Sequence, residues 1–389
     1  MFNSKSIIGV IGGGAMGSGI AQVAASFGHT VHVYDTNNEV VLKAKQLLTT
    51  SLSKLVEKQK ITEQKKNEIL ANTHFTNVLN AFTECDLIIE AIVEKLEIKQ
   101  QTFAQIEKLV KKTCILASNT SSLSITSIAS VCDRPGNVIG IHFFNPATLM
   151  PLVEIIPGIA TSKEIIGPVK QLIDSWGKVT VIAKDTPGFI VNRVARPFYS
   201  EALRIADEQI ADYATIDWAM KEIGGFKMGP FELMDLIGHD VNYVVTETVW
   251  QQFYFDQRFK PSLTQKRLLE AKFLGRKTGK GFYDYSEGAT MPQPKKDIEL
   301  GRQIYSRIIC MLINEAADTL FLGIASREDI DLAMTKGVNY PIGLLKLADQ
   351  IGIRNVAKQL MDLYLMYEED RYRTSILLKQ LVVANKSFY

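Results

Sequence analysis

The chain has 389 residues, 46% hydrophobic and 22% charged, the balance of a globular chain too long for one core and expected to form two or three domains. A net charge of +2 gives no field for a nucleic-acid partner. Cys85, Cys114, Cys132 and Cys310 show neither a CxxC pair nor metal-ligand spacing, MFNSKSIIGVIGGGAMG lacks a signal-peptide core, and no apolar run reaches about 18 residues. No metal and no membrane contact are therefore expected, and the protein reads as cytoplasmic, its cysteines reduced.

In chain order, residues 6–11 are a short β-branched run, 17–27 have the spacing of a helix and 30–34 are strand-like again. Residues 37–72 are rich in lysine and glutamate, with apolar residues at helical spacing, and read as a helical excursion from the sheet. Residues 87–91, 114–117, 138–142 and 179–183 are further short apolar runs between helical or polar segments. Strands alternating with helices predict a doubly wound, mostly parallel sheet. After Asp185-Thr186-Pro187-Gly188, a hinge or a rigid connector, strand patterns nearly vanish. Residues 286–300, with two prolines, read as a linker.

The last segment repeats the middle one. Glu201-Ala202 and Glu315-Ala316, Asp217 and Asp331, Gly229 and Gly343, and Gly238 and Gly352 all stand 114 residues apart. Arg258 and Ser262 match Arg371 and Ser375 at 113. A constant offset over this length points to an internal duplication. The expected class is α/β, with a doubly wound dinucleotide-binding domain over 1–184 followed by two homologous all-α domains, 185–285 and 301–389. Ser306 stands where the first copy has Asn192.

Residues 12–17, GGGAMG, fit G-x-G-x-x-G between a strand and a helix, and Asp35 ends the next strand. Strand, glycine turn, helix, strand and acid form a dinucleotide fingerprint. Gly12 permits the turn, Gly14 lets the backbone approach a pyrophosphate, and Gly17 lets helix and strand pack. Ala15 and Met16 begin the helix whose N–H groups and dipole favour phosphate. Asp35 suits ribose hydroxyls and repels a 2′-phosphate, so the expected cofactor is NAD.

Residues 142–155 read HFFNPATLMPLVEI. Twelve residues and an Asn145-Pro146 turn separate His142 from Glu154, a spacing that can set two strands in register with these side chains facing. A carboxylate raises the basicity of an imidazole and fixes its tautomer. Such a histidine can accept an alcohol proton while hydride leaves the same carbon. Ser118-Asn119-Thr120-Ser121-Ser122 and Glu90-Ala91-Ile92-Val93-Glu94-Lys95 each follow a strand run, where ligands of doubly wound sheets bind. The first is either a polar ligand contact or a helix-capping turn. The acids of the second either reach a ribose or simply start a helix.

Together GVIGGGAMGSGIA, EAIVEKLEIK, ASNTSSLSIT, HFFNPATLMPLVEI, DTPGFIVNR, GPFELMDLIG and GRKTGKGFYDY resemble the L-3-hydroxyacyl-CoA dehydrogenase family, which includes 3-hydroxybutyryl-CoA dehydrogenases. The resemblance spans about residues 5–285 in order. It implies a Rossmann-type fold and NAD-dependent oxidation of short-chain or dicarboxylic L-3-hydroxyacyl-CoA to 3-oxoacyl-CoA and the reverse, in fatty-acid or aromatic-acid degradation or butanoate metabolism. His142 matches the family's catalytic histidine and Glu154 its partner acid. Ser121 and Asn192 match residues at the substrate's reacting end. Asn119, Glu94 and Lys99 match positions near the nicotinamide, and Asn145 is placed with the cofactor-binding residues. Ser51 and Lys58, in SLSKLVEK, match a CoA-contacting segment whose lysines suit phosphates.

The chain departs from that pattern in Ala147-Thr148, where many relatives carry a second proline, and in some 100 further C-terminal residues. The resemblance implies that residues 301–389 pack on 185–285 as an intrachain pseudo-dimer; pairing between chains is the alternative, so monomer and homodimer both stay open. Ser306 in place of Asn192, and NKSFY in place of GRKTGKGFYDY, imply a non-catalytic copy. A free hydroxy-acid dehydrogenase of gulonate type would not need the lysine-bearing segment, and a non-catalytic NAD-binding protein would not need His142, Glu154, Ser121 and Asn192 together.

Overall fold

A computed structural model describes residues 2–3 and 5–389. Among these, two compact units meet at Thr186 and Pro187.

The first unit carries one sheet: β1 (Ile8–Ile11), β2 (Val31–Tyr34), β3 (Thr73–Thr76), β4 (Leu87–Glu90), β5 (Ile115–Ser118), β6 (Val138–Phe143), β7 (Leu152–Pro157) and β8 (Val179–Ile182), in the order β3-β2-β1-β4-β5-β6-β7-β8. β1 to β6 are mutually parallel. β7 turns back against β6, and β8 lies parallel to β7. β1, β4, β5 and β6 are buried along their whole length and apolar except for Glu90, Ser118 and His142 at or near their C-terminal ends, as central strands covered on both faces must largely be. The helices are α1 (Ala15–Ser26), α2 (Asn38–Glu57), α3 (Glu63–Ala71), α4 (Leu96–Glu107), α5 (Ile125–Ala129) and α6 (Lys163–Ser175).

The helical excursion over 37–72 is α2 and α3, and its last residues lead into β3, a strand the sequence reading missed. Its THFT lies at the sheet edge with Phe75 as its one apolar residue and only Thr73 buried, so it has no apolar run to mark it. Asp185 is firmly held: its carboxylate accepts from Ser124 Oγ at 2.9 Å and from the N–H groups of Ile125 (2.9 Å) and Thr126 (2.7 Å) at the start of α5. Asp185, the first residue of the connector, is therefore anchored to the first unit.

The second unit is helical: α7 (Val191–Val194), α8 (Arg196–Asp207), α9 (Tyr213–Trp218), α10 (Pro230–Ile237), α11 (His239–Gln252), α12 (Leu263–Glu270), α13 (Ile298–Phe321), α14 (Arg327–Gly337), α15 (Leu344–Ile351), α16 (Ile353–Tyr367) and α17 (Ile376–Ala384). Asp297 caps α13 by accepting from Leu300 N, so the helix starts inside the stretch read as a linker.

The repeat of 114 residues reappears in the geometry. Asp217 accepts from Phe231 N and Glu232 N, and Asp331 from Leu345 N and Lys346 N. A Cβ on Gly229 or on Gly343 would stand 2.3 Å from the carboxylate carbon of the local aspartate, so only glycine fits either place. Asp235 accepts from Phe282 N and Tyr283 N, both at 3.0 Å; Asp349 accepts from Phe388 N (2.8 Å) and Tyr389 N (2.9 Å). The terminal NKSFY, which stands in place of GRKTGKGFYDY, keeps a Phe-Tyr pair that makes the same bonds to the local aspartate.

Candidate functional site

The C-terminal ends of parallel strands share one edge of the sheet, and the first unit's polar clusters gather there. Gly12 follows β1 with φ +108°, a left-handed conformation that glycine adopts without strain. Gly17 packs so tightly that a Cβ would stand 1.9 Å from Gly12 O. At Gly14 the opposite holds, with nothing within 4 Å of a Cβ. Gly14 precedes α1, and no side chain caps that helix. The first N–H groups of α1 thus face open space that an extended anion can enter. Asp35 closes the turn, with Oδ2 accepting from Gly13 N at 2.9 Å and Oδ1 from Asn37 N at 3.0 Å. Gly12, Gly14, Ala15, Met16, Gly17 and Asp35 are in one place, and they fit a dinucleotide pyrophosphate and ribose.

β6 and β7 bring the histidine and its acid together. His142 and Glu154 are register partners, and Nδ1 lies 2.7 Å from Glu154 Oε2. Glu154 is fully buried and His142 is 5% exposed. The Phe144 ring packs 4.5 Å from the imidazole. Asn119 Oδ1 accepts from Phe143 N at 2.8 Å, so the SNTSS segment fixes the strand end beside the histidine. Asn145 joins Pro146 through a cis peptide in the exposed turn that follows.

A second network ties β4, α4 and the SNTSS segment. Glu90 is buried and accepts from Lys99 Nζ, Ser118 Oγ and Ile92 N, each at 2.7 Å. Lys99, 1% exposed, also lies 3.2 Å from Glu94. Glu94 accepts from Thr120 Oγ1 at 2.6 Å and Ser121 N at 3.0 Å. Burial raises the Glu94 pKa, but the Lys99 charge and these donors outweigh it and hold the acid below its ordinary range. Lys99 is enclosed between two carboxylates and positions Glu94; it does not present a charge to an open face. Glu90, read from sequence as an acid able to reach a ribose, is the buried centre of the network. Its position at the end of an otherwise apolar strand was the available signal.

Ser51 lies on α2 and Lys58 is the C-cap that ends it, away from these clusters in sequence. Ser51 Oγ donates to Gln22 Oε1 at 3.4 Å, and Lys58 is exposed at the helix end. Asn192 lies on α7, in the second unit.

An open glycine turn closed by an acid, on the strand edge that also carries a buried His–Glu pair, defines a dehydrogenase that uses NAD. Residues 7–186 match the model of the 3-hydroxyacyl-CoA dehydrogenase NAD-binding domain; 188–285 and 304–387 each match that of the C-terminal domain. The chain belongs to the 3-hydroxyacyl-CoA dehydrogenase family. It is 36% identical to a 3-hydroxyadipyl-CoA dehydrogenase of Escherichia coli K12 over the full length of both. It is 43% identical to a probable 3-hydroxybutyryl-CoA dehydrogenase of Deinococcus radiodurans, over 71% of this chain and 99% of the relative. A crystal structure of 3-hydroxybutyryl-CoA dehydrogenase from Escherichia coli K12 superposes with a TM-score of 0.93 at 36% identity, covering 98% of this chain and 99% of that one. Among the described residues no helix is long and apolar enough to cross a membrane.

Proposed function

We propose that the enzyme interconverts L-3-hydroxyacyl-CoA and 3-oxoacyl-CoA, with a short or dicarboxylic acyl chain. The observation that carries this reading is the buried 2.7 Å contact between His142 and Glu154 on the strand edge that bears the glycine turn. With Nδ1 committed to Glu154, Nε2 takes the hydroxyl proton. Glu154 holds the ring in that tautomer and stabilises the imidazolium that forms. When bound, NAD would supply the hydride acceptor; the backbone from Gly12 to Gly17 would hold its pyrophosphate, Asp35 its ribose, and Glu94 with Asn119 and Asn145 the nicotinamide end. Ser121 and Asn192 orient the thioester and polarise its oxygens. The CoA phosphates meet the lysine-bearing face of α2 around Ser51 and Lys58. The full-length relative named for a 3-hydroxyadipyl substrate supports the dicarboxylic option.

Oxidation of NADH with acetoacetyl-CoA and with free acetoacetate, run in parallel, tests the reading. Turnover of the thioester is expected. Turnover of the free acid alone would replace it with the hydroxy-acid reading.

The second helical copy is proposed to replace a dimer partner. Arg193 Nε contacts Glu315 at 2.5 Å, and Arg307 Nε contacts Glu201 at 2.6 Å. Arg258 reaches Glu315 at 3.0 Å and Arg371 reaches Glu201 at 3.6 Å. Each contact is answered by the contact of the matching residues. Such reciprocity is the mark of a two-fold interface, carried here within one chain.

A further inference from the structure

Five arginines of the second unit are buried: Arg193, Arg196, Arg258, Arg307 and Arg371. Four of them meet Glu315 or Glu201. Arg196 meets no carboxylate among the described residues. It is 5% exposed; its Nη1 donates to Thr246 Oγ1 at 3.1 Å and lies 3.5 Å from Asn242 O. Its guanidinium lies 4.9 Å from the centre of the Tyr199 ring. Nε has no hydrogen-bond partner, and neither has the buried hydroxyl of Tyr340. Burial lowers the Arg196 pKa, and Tyr199 and Tyr340 oppose that shift. A buried cation with an idle donor is unfavourable unless an anion completes it.

The internal repeat supplies a control. At the 114-residue offset, Arg196, Asn242 and Thr246 correspond to Cys310, Val356 and Leu360. All three are buried on α13 and α16, where they form ordinary apolar core. This helix packing therefore holds together without a guanidinium. The polar set occurs only in the copy that carries Asn192. Arg196 follows Asn192 by four residues, one helical turn, a rise of roughly 6 Å. A short carbon chain that ends in a carboxylate covers a comparable length.

We propose that Arg196 receives the carboxylate at the far end of a dicarboxylic 3-hydroxyacyl chain, and that it selects such substrates over neutral acyl thioesters. The inference rests on the acyl-CoA reading above and on the placement of Asn192 at the reacting end. The planar fork of Arg196 offers its idle Nε to a carboxylate oxygen. A site built for a charged group rejects the analogue that lacks it, because its own polar atoms then stay unpaired.

The test compares kcat/KM for 3-oxoadipyl-CoA and for 3-oxohexanoyl-CoA, a neutral thioester of equal chain length, with NADH. The wild type is expected to favour the dicarboxylic thioester by at least about tenfold. In Arg196→Met that ratio should fall to near unity, and Arg196→Lys should recover part of it. A wild-type ratio near unity overturns the proposal without any variant, so a misfolded Arg196→Met would not shelter it. An equal loss on both thioesters in a folded variant also overturns it, since that would place Arg196 on the shared CoA or in the scaffold. Failure to turn over either thioester, or acetoacetyl-CoA, would instead sink the acyl-CoA reading itself.

Discussion

Glu154→Gln tests the proposed proton chemistry with almost no change of shape. Glu154 is fully buried and sits 2.7 Å from His142 Nδ1. A charge-assisted hydrogen bond of that kind contributes about 3 kcal/mol. It matters most in the transition state, when the imidazole gains a proton, so its loss should lower kcat by about 10²-fold. If the glutamine turns its NH₂ toward Nδ1, the ring must hold its proton on Nε2 and cannot accept another; the loss then approaches about 10⁴-fold. Thermal stability should hold, because a neutral amide leaves no unpaired charge behind. The assay is steady-state NADH oxidation with acetoacetyl-CoA, beside NADH affinity measured by fluorescence. A kcat within about threefold of wild type, with NADH affinity unchanged, would refute the assignment of Glu154.

His142→Gln should abolish turnover while NADH still binds; full activity would end the general-base assignment. Gly14→Ala and Gly17→Ala should separate function from folding. At Gly14 the new methyl group meets nothing in the protein but fills the approach to the pyrophosphate, so NADH affinity should fall at least about tenfold with the melting temperature unchanged. At Gly17 it would stand 1.9 Å from Gly12 O, so melting should fall by the equivalent of about 3 kcal/mol. Equal melting temperatures for the two variants would contradict this geometry. Asp217→Asn should flatten the dependence of stability on pH. Burial pushes the Asp217 carboxyl from its ordinary 3.8 up to about 7. The folded chain therefore binds this proton more tightly than the unfolded one. The stability it contributes is complete below the ordinary value and is lost as pH rises to about 7. Calorimetry at several pH values across this window should show a steeper decline for wild type than for the variant; parallel slopes would mean that Asp217 keeps its charge.

What the sequence disclosed was the part written in backbone requirements and short-range pattern. The glycine turn follows from steric needs that glycine alone meets. The spacing from His142 to Glu154 could be read because one hairpin holds both residues, and the register does pair them. β3 escaped because an edge strand needs no continuous apolar run. The enclosure of Lys99 was invisible because lysine is ordinarily a surface residue, and only the fold brings Glu90 and Glu94 to it. Arg196 carries no signal in the sequence; its isolation from any carboxylate depends on what α11 and the segment around Tyr340 bring beside its own helix. The equivalence of the terminal Phe388-Tyr389 with Phe282-Tyr283 was hidden by a shorter loop that broke the constant offset.

The reciprocal Arg–Glu contacts join two helical halves that a single peptide chain already keeps together. Two separate subunits held by the same contacts would part on dilution, whereas tethered halves see each other at a fixed effective concentration. On the proposed pseudo-dimer reading, each half is also free to change alone. In a dimer of identical chains any substitution appears twice, on both sides of the axis. Here the first half carries a buried Arg196 and the second a buried Cys310 at the corresponding place, a difference that identical subunits could not hold.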